Sequence, residues 1–186
     1  MTLNDITYDL YSVKNQEEYF DRIQQFDCTI PGGRGSGLNS ALKNALDNDV
    51  TTIIFIDKSS IDEKIIGFCS YCCGSVVVAG DVFPAIEIRS FATDNRYQKL
   101  YLDSLDKTCS MFIIEYCIAY LKNISYNHIF ARYILLYSEK CDGLLTFYRK
   151  ANFDSFTADC RSLRSRGENN DIYSLLHVIE HDDFIE

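Results

Sequence analysis

Two stretches of this 186-residue chain could do chemistry by residue type and spacing. The first is CTIPGGRGSGLNS, where Gly32, Gly33, Gly35 and Gly37 follow Pro31. Glycine loops ahead of helices bring backbone N–H groups up to phosphates. A Walker A loop would end in Gly-Lys-Ser/Thr, whereas Gly37 is followed by Leu38 and Asn39. A dinucleotide fingerprint needs a preceding strand and G-x-G-x-x-G spacing, and neither occurs. The stretch is expected to be a flexible loop near a cleft. The second is Cys69, Cys72 and Cys73, which contain the C-x-x-C spacing of zinc sites. On an extended strand, residues three apart point to opposite faces, so Cys69 and Cys72 cannot share one metal without a turn. No second ligand pair matches them: Cys109 and Cys117 fall in an apolar helical stretch, and His128, His177 and His181 are scattered. No metal is expected, and the thiols read as small buried groups.

Composition narrows the function classes. The formal net charge is −9, with acidic concentrations at Glu168–Asp171 and Glu180–Glu186. Such a field repels polyanions, so a cationic or neutral substrate is expected and nucleic acid is not. Hydrophobic content of 47% and charged content of 24% are those of a globular protein, and 186 residues suit a single domain over 1–186. MTLNDITYDL has no basic region followed by an apolar run, so no signal peptide is expected. No apolar run reaches the roughly 18–20 residues needed to span a bilayer. A cytoplasmic protein with no membrane partner and eight reduced cysteines is the expectation.

These groups need elements to position them. Ile6–Val13 reads as a strand, and Asn15–Phe26 as a helix with Tyr19, Phe20, Ile23 and Phe26 at helical spacing. A short second helix is expected from Asn39 or Ser40 through Leu46. Thr51–Asp57 and Lys64–Gly80 are β-branched and aromatic, with a polar turn at Lys58–Glu63, and read as a hairpin. Ala85–Asp94 is a further strand entered through Pro84. From about Thr108 to Lys122 the sequence is apolar nearly all round, which predicts a central helix covered on most sides. A strand over Ile129–Leu136, a helix over Cys141–Ala151, a polar loop at Arg161–Asn170 and a strand over Asp171–Ile179 complete a mixed α/β order.

Between Ile86 and Phe153 the chain resembles the GNAT acyltransferase superfamily. That family shows a strand ending like L-A-V, a turn Q/R-x-x-G-x-G/A, a long helix, another strand and a helix ending F-Y-x-K-x-G-F. The matching residues are Phe91-Ala92-Thr93, Tyr97-Gln98, the long helix, the strand HIFARYILLYS and Phe147-Tyr148-Arg149-Lys150-Ala151-Asn152-Phe153. Asn152 replaces the family's glycine, and Asn is the next choice after Gly for a left-handed helix end. Counting on from Gln98, the two glycine positions fall on Tyr101 and Asp103. Two explanations compete. Either KLYLDSLDK is an inserted loop and the helix start has moved to Thr108-Cys109-Ser110, or the donor site has decayed.

The resemblance implies an α/β, GNAT-like acyl-CoA N-acyltransferase fold, with a central mixed, mostly antiparallel sheet flanked by helices. It implies an acetyl-CoA-dependent N-acetyltransferase acting on a primary amine of a small molecule or protein, with no metal and with homodimer formation open. Backbone groups of Phe91, Ala92 and Thr93 would hold the pantetheine arm. Gln98, Arg96, Lys99 and the helix start Thr108, Cys109 and Ser110 would serve the phosphates, with Lys107 a further cation. Glu87 is the candidate general base. Tyr148 matches the tyrosine that protonates the departing thiolate. The alternative is a non-catalytic GNAT-like binding or regulatory protein.

Overall fold

The structure, a computed structural model, describes residues 5–11, 16–28, 50–59, 61–141, 143–156, 160–162 and 172–179. The expected Pro31–Gly37 loop and the short helix through Leu46 lie outside those residues. The chain runs β1 (Ile6–Tyr11), α1 (Gln16–Gln24), β2 (Thr51–Asp57), β3 (Ile65–Val78), β4 (Asp81–Thr93), β5 (Tyr101–Leu102), β6 (Lys107–Thr108) and α2 (Cys109–Ile124). It continues through β7 (Tyr133–Glu139), α3 (Leu144–Lys150), β8 (Asp154–Ser155), β9 (Cys160–Ser162) and β10 (Ile172–Val178).

Among the described residues, an eight-stranded sheet has the order β1-β2-β3-β4-β7-β10-β8, with β9 on β3. The pairs β1–β2, β2–β3, β3–β9, β7–β10 and β8–β10 are antiparallel, while β4–β7 is parallel. This is the mixed, mostly antiparallel α/β architecture expected from the sequence. Ala79 (φ 51°) and Gly80 (φ 92°) make the tight turn from β3 to β4, both in the left-handed region that suits the twist of a hairpin.

Contacts divide the chain into two compact units, Met1–Tyr71 with Ser90–Ile114, and Cys72–Arg89 with Glu115–Glu186. In the first, Tyr19 and Ile23 of α1 join Tyr11, Ile54, Ile56, Ile65, Phe68 and Ala92 in one buried cluster. Glu17 and Glu18 open α1 and Arg22 closes it, which suits the helix dipole. In the second, Val76, Ala85 and Leu135 form the centre, with Phe83, Tyr133, Phe156 and Leu176 packed on it.

α2 passes through both units, and its buried residues fall at a helical repeat: Cys109, Ile113, Cys117 and Leu121 are each wholly inaccessible. Its other faces are less covered than all-round hydrophobicity predicted: Phe112, Tyr116 and Tyr120 are half-buried and Ala119 is exposed. Tyrosines tolerate that position because one end of the ring is polar.

Several boundaries differ from the sequence expectation, that of β4 among them, which begins at Asp81 and takes in Pro84. The strand expected from Ile129 begins at Tyr133, because α2 runs on into a π-helical turn, Ser125–Ile129. Phe130, at φ 47°, closes this turn with its N–H on the Ser125 carbonyl at 2.7 Å, and the buried Ser125 hydroxyl donates to Ala131 O at 2.6 Å. The helix expected from Cys141 begins at Leu144, after Gly143 at φ 85°. Arg161 and Ser162, expected to open a polar loop, belong instead to β9 and pair with β3.

Gly67 of β3 marks a close approach. A Cβ there would lie 2.9 Å from the Ala92 carbonyl and 3.0 Å from Ile113 Cδ1. Gly67→Ala is therefore expected to destabilise the fold by about 1–3 kcal/mol, the usual cost of overpacking, read as a lower urea midpoint at unchanged m-value.

Candidate active site

The donor-side candidates begin at the end of β4. The Asp94 N–H donates to Ile66 O of β3 at 2.9 Å. Peptide groups alternate sides along a strand, so those of Thr93 point away from β3. There the Gln98 side chain meets the Thr93 carbonyl, Nε2 to O 3.1 Å. Phe91, two residues earlier, shares that direction. Ala92 does not: its carbonyl lies over Gly67 of β3, which corrects the expectation that Ala92 offers backbone groups to a donor. The parallel β4–β7 ladder holds only four pairs, Ala85↔Tyr133 to Ile88↔Leu136, although β4 continues to Thr93 and β7 to Glu139.

Gln98 ties three elements together. Its Nε2 reaches Thr93 O and Asn95 Oδ1, the latter at 2.9 Å, and its own carbonyl accepts the Ser110 hydroxyl at 3.1 Å. Between Leu100 and Cys109 the chain makes a closed excursion. Tyr101 pairs with Thr108 and Leu102 with Lys107. A 3-10 turn at Asp103–Leu105 and Asp106 at φ 52° form the tip, where the Tyr101 hydroxyl donates to the Asp106 carboxylate. The base is shut by the Cys109 N–H on the Leu100 carbonyl at 2.8 Å. α2 thus starts at Cys109, where the insertion reading put it, and the inserted segment is an ordered hairpin with Leu102 fully buried. Across the closed base, Gln98-Lys99-Leu100 is followed by Cys109-Ser110-Met111. The two glycine positions of the turn then fall on Cys109 and Met111.

This start is already partly capped. Thr108 Oγ1 accepts the Met111 N–H at 3.3 Å, the usual N-cap role of threonine. With its N–H on Leu100 and its side chain buried, Cys109 is not the open donor expected of it. Lys99 is exposed and Ser110 half-buried. Thr93 Oγ1 is buried with no hydrogen-bond partner, so the strand end holds a hydroxyl that a polar ligand could satisfy. Thr93, Lys99 and Ser110 are what this loop offers a phosphate-bearing donor. Arg96 is committed elsewhere: Nε and a terminal nitrogen bind the two Asp94 carboxylate oxygens at 2.7 and 2.8 Å. That pairing raises the arginine pKa further.

Sequence reasoning missed the polar contacts around this turn. Asp94 is wholly buried, and its Oδ1 also accepts the Arg96 N–H at 2.9 Å. The Asp-x-Arg spacing of an Asx turn was the available signal. The Tyr97 hydroxyl donates to buried Asp57 at 2.9 Å. Burial first, and that hydrogen bond second, push the Tyr97 phenol up to about 12.

The chemistry-side candidates lie in the second unit. Glu87 is buried on β4, and Arg89 binds its Oε1 at 2.7 Å. Gly74 of β3 leaves the space beside it: a Cβ there would stand 3.5 Å from Glu87 Cβ. Tyr148 is buried on α3, edge-on to Phe147 and Phe153 with centroids 5.2 and 6.0 Å away. α3 ends in a Schellman motif: the Phe153 N–H reaches Tyr148 O and the Asn152 N–H reaches Arg149 O, both at 3.0 Å. Asn152 stands at φ 61°, the left-handed position its sequence role required. Buried His177 joins this helix end through Nδ1, 2.9 Å from Asn152 O, with its ring 5.5 Å from Phe153. A carbonyl only accepts, so Nδ1 carries the proton. The sequence offered no hint that His177 braces the helix of Tyr148. No group of three or more metal-ligating side chains occurs among the described residues.

The strand order, the short parallel ladder and the β4-turn-α2 connection are those of a GNAT-like fold. No family model and no curated protein matches the sequence. Solved structures do match. The AtaTR complex bound with acetyl-CoA is 14% identical at a TM-score of 0.64, over 92% of this chain and 94% of that one. AtaT complexed with acetyl-methionyl-tRNAfMet is 14% identical at a TM-score of 0.63, over 91% and 94%. A tyrosine-to-phenylalanine mutant of KacT is 11% identical at a TM-score of 0.62, over 91% and 94%. At these identities the likeness is one of fold.

The Tyr97–Asp57 contact generates a pH prediction. Because the folded pKa of Tyr97 lies above the usual value near 10, its contribution to stability is complete below about pH 10 and is lost as pH rises through about 12. Urea unfolding at about pH 9 and about pH 11.5 is expected to show a smaller alkaline loss in Tyr97→Phe than in the wild type. Equal losses would assign the alkaline transition to other groups.

Proposed function

We propose that this protein is an N-acetyltransferase that takes its acetyl group from acetyl-CoA and passes it to an amine, in the cytoplasm and without a metal. The observation that carries the reading is the closed excursion. The Leu100–Cys109 hydrogen bond sets Gln98-Lys99-Leu100 directly before the start of α2, so the strand-turn-helix connection keeps its spacing despite the inserted residues. The fold supports the same reading, and so does the matched acetyl-CoA complex.

The donor supplies an activated thioester acetyl group, and the chain's residues supply position and protons. Outward peptide groups of Phe91 and Thr93 lie where β4 has run past its β7 partners. Thr93 Oγ1, Lys99 and Ser110 face the phosphate-binding task. Glu87, buried and paired with Arg89, is the group to accept a proton from an attacking amine. Tyr148 holds a phenolic proton at neutral pH, as phenols do, and gives it to the leaving sulfur. His177 keeps the Tyr148 helix end in place through Asn152.

The acceptor is an amine, and the matched AtaT complex with acetyl-methionyl-tRNAfMet makes an aminoacyl group on RNA the first to assay. That revises the exclusion of nucleic acid drawn from the net charge; a protein or small-molecule amine is the comparison in the same assay. The non-catalytic alternative draws on the capped Cys109 and Met111 amides. Calorimetric titration with acetyl-CoA separates the two, with binding in the micromolar range expected and none at millimolar concentration counting against the enzyme. Tyr148→Phe is expected to lower kcat about 100-fold, the low end of the range for general acid-base groups, with the acetyl-CoA Kd within about 2-fold. An unchanged kcat removes Tyr148 from the mechanism.

A further inference from the structure

The Asp94 carboxylate touches more than its arginine. Oδ1 accepts the Arg96 N–H and Nε at 2.9 and 2.7 Å, and Oδ2 accepts an Arg96 terminal nitrogen and the Asp27 N–H at 2.8 and 3.0 Å. Every one of these contacts joins the turn after β4 either to itself or to the segment that follows α1. Two more bonds run between the same pieces: the Asn95 N–H reaches Asp27 O at 2.7 Å, and an Arg96 terminal nitrogen reaches Gln25 O at 3.3 Å. The turn is further stapled by the Tyr97 and Gln98 N–H groups on Asp94 O at 2.9 and 3.0 Å. A wholly buried carboxylate with four charge-assisted or backbone donors is held rigidly, because any displacement leaves a buried charge unmatched.

We infer that Asp94 is a positioning residue for the acyl donor: through Arg96 and Asp27 it fixes the 95–99 turn against the Gln25–Cys28 segment, so donor affinity is set by contacts remote from the donor itself. This rests on the N-acetyltransferase reading. The turn carries Lys99 and Gln98, and Gln98 in turn holds the Thr93 carbonyl and the Ser110 hydroxyl. A turn that drifts therefore shifts the donor-facing groups of β4 and α2 together. Glu87 and Tyr148 are not among the hydrogen-bond partners of Asp94 and Arg96 named above, so kcat is the readout the tie is expected to spare.

The test compares wild type with Asp94→Asn and with Arg96→Lys, the second retaining charge and burying no new group should the first fold poorly. Hydrogen exchange is read at the Asp27 and Asn95 amides, and steady-state kinetics with varied acetyl-CoA give the KM and kcat separately. Expected are at least about 10-fold faster exchange at both amides in Asp94→Asn, a KM for acetyl-CoA raised about 10-fold or more, and a kcat within about 3-fold; Arg96→Lys falls between. A merely structural role would lower the active fraction, and with it kcat, at constant KM. That outcome, or unchanged KM in both variants of an enzyme whose wild type binds acetyl-CoA, overturns the positioning role alone. A wild type that binds no acetyl-CoA overturns the functional reading and the donor role with it, whatever the exchange rates.

Discussion

One backbone hydrogen bond, from the Cys109 N–H to the Leu100 carbonyl, decides how the connection from β4 to α2 can be built. Without it, the residues from Tyr101 to Thr108 would separate the end of β4 from the start of α2. With it, they leave and return at the same place, pairing with themselves on the way. Leu102 anchors the excursion by full burial, while Asp103, Ser104 and Asp106 stay in solvent. The carboxylates that would repel a donor phosphate at the turn are thus carried out to a tip. The bond also uses the first helical amide, so the same feature that preserves the spacing reduces the donors left for a ligand.

The polar groups around this loop obey a common constraint. Asp57 and Asp94 are buried at the ends of β2 and β4, and Glu87 is buried within β4. Each is answered by a near neighbour in sequence or by a tyrosine: Ser59 and Tyr97 for Asp57, Arg96 for Asp94, Arg89 for Glu87. Removing one member of such a set costs more than the set contributes, since a lone buried charge remains. These groups therefore specify geometry more than they add stability. Two of the three fix the turn that follows β4.

The elements that depend on short-range pattern were legible in the sequence. The β-branched runs became β2 and β3, the helix with Tyr19, Phe20 and Ile23 at helical spacing became α1, and the helix start fell at Cys109 because small polar residues and the length of the apolar stretch both pointed there. The left-handed Asn152 was legible for the same reason: one residue type met one backbone need. What could not be read was tertiary hydrogen bonding. Phe130 in the left-handed region has no sequence signal, and its π-helical turn depends on Ser125 reaching Ala131. Ala92 looked equivalent to its neighbours until strand alternation turned its carbonyl to β3. His177 looked stray until the end of α3 arrived beside it.

The net charge of −9 invites a stronger conclusion than it supports. At physiological ionic strength the Debye length is about 8 Å, so a ligand at one face responds to the charges of that face and little else. Around the turn that follows β4, Asp94 is charge-matched by Arg96, while Asp106 and Asp57 accept hydrogen bonds from tyrosine hydroxyls, which bring no positive charge. On α3 the last turn presents Arg149 and Lys150, both exposed, on the helix whose inner face holds Tyr148. A chain can be acidic in total and still present a locally cationic patch. The local balance, and not the sum, is the quantity that a charged partner meets at that face.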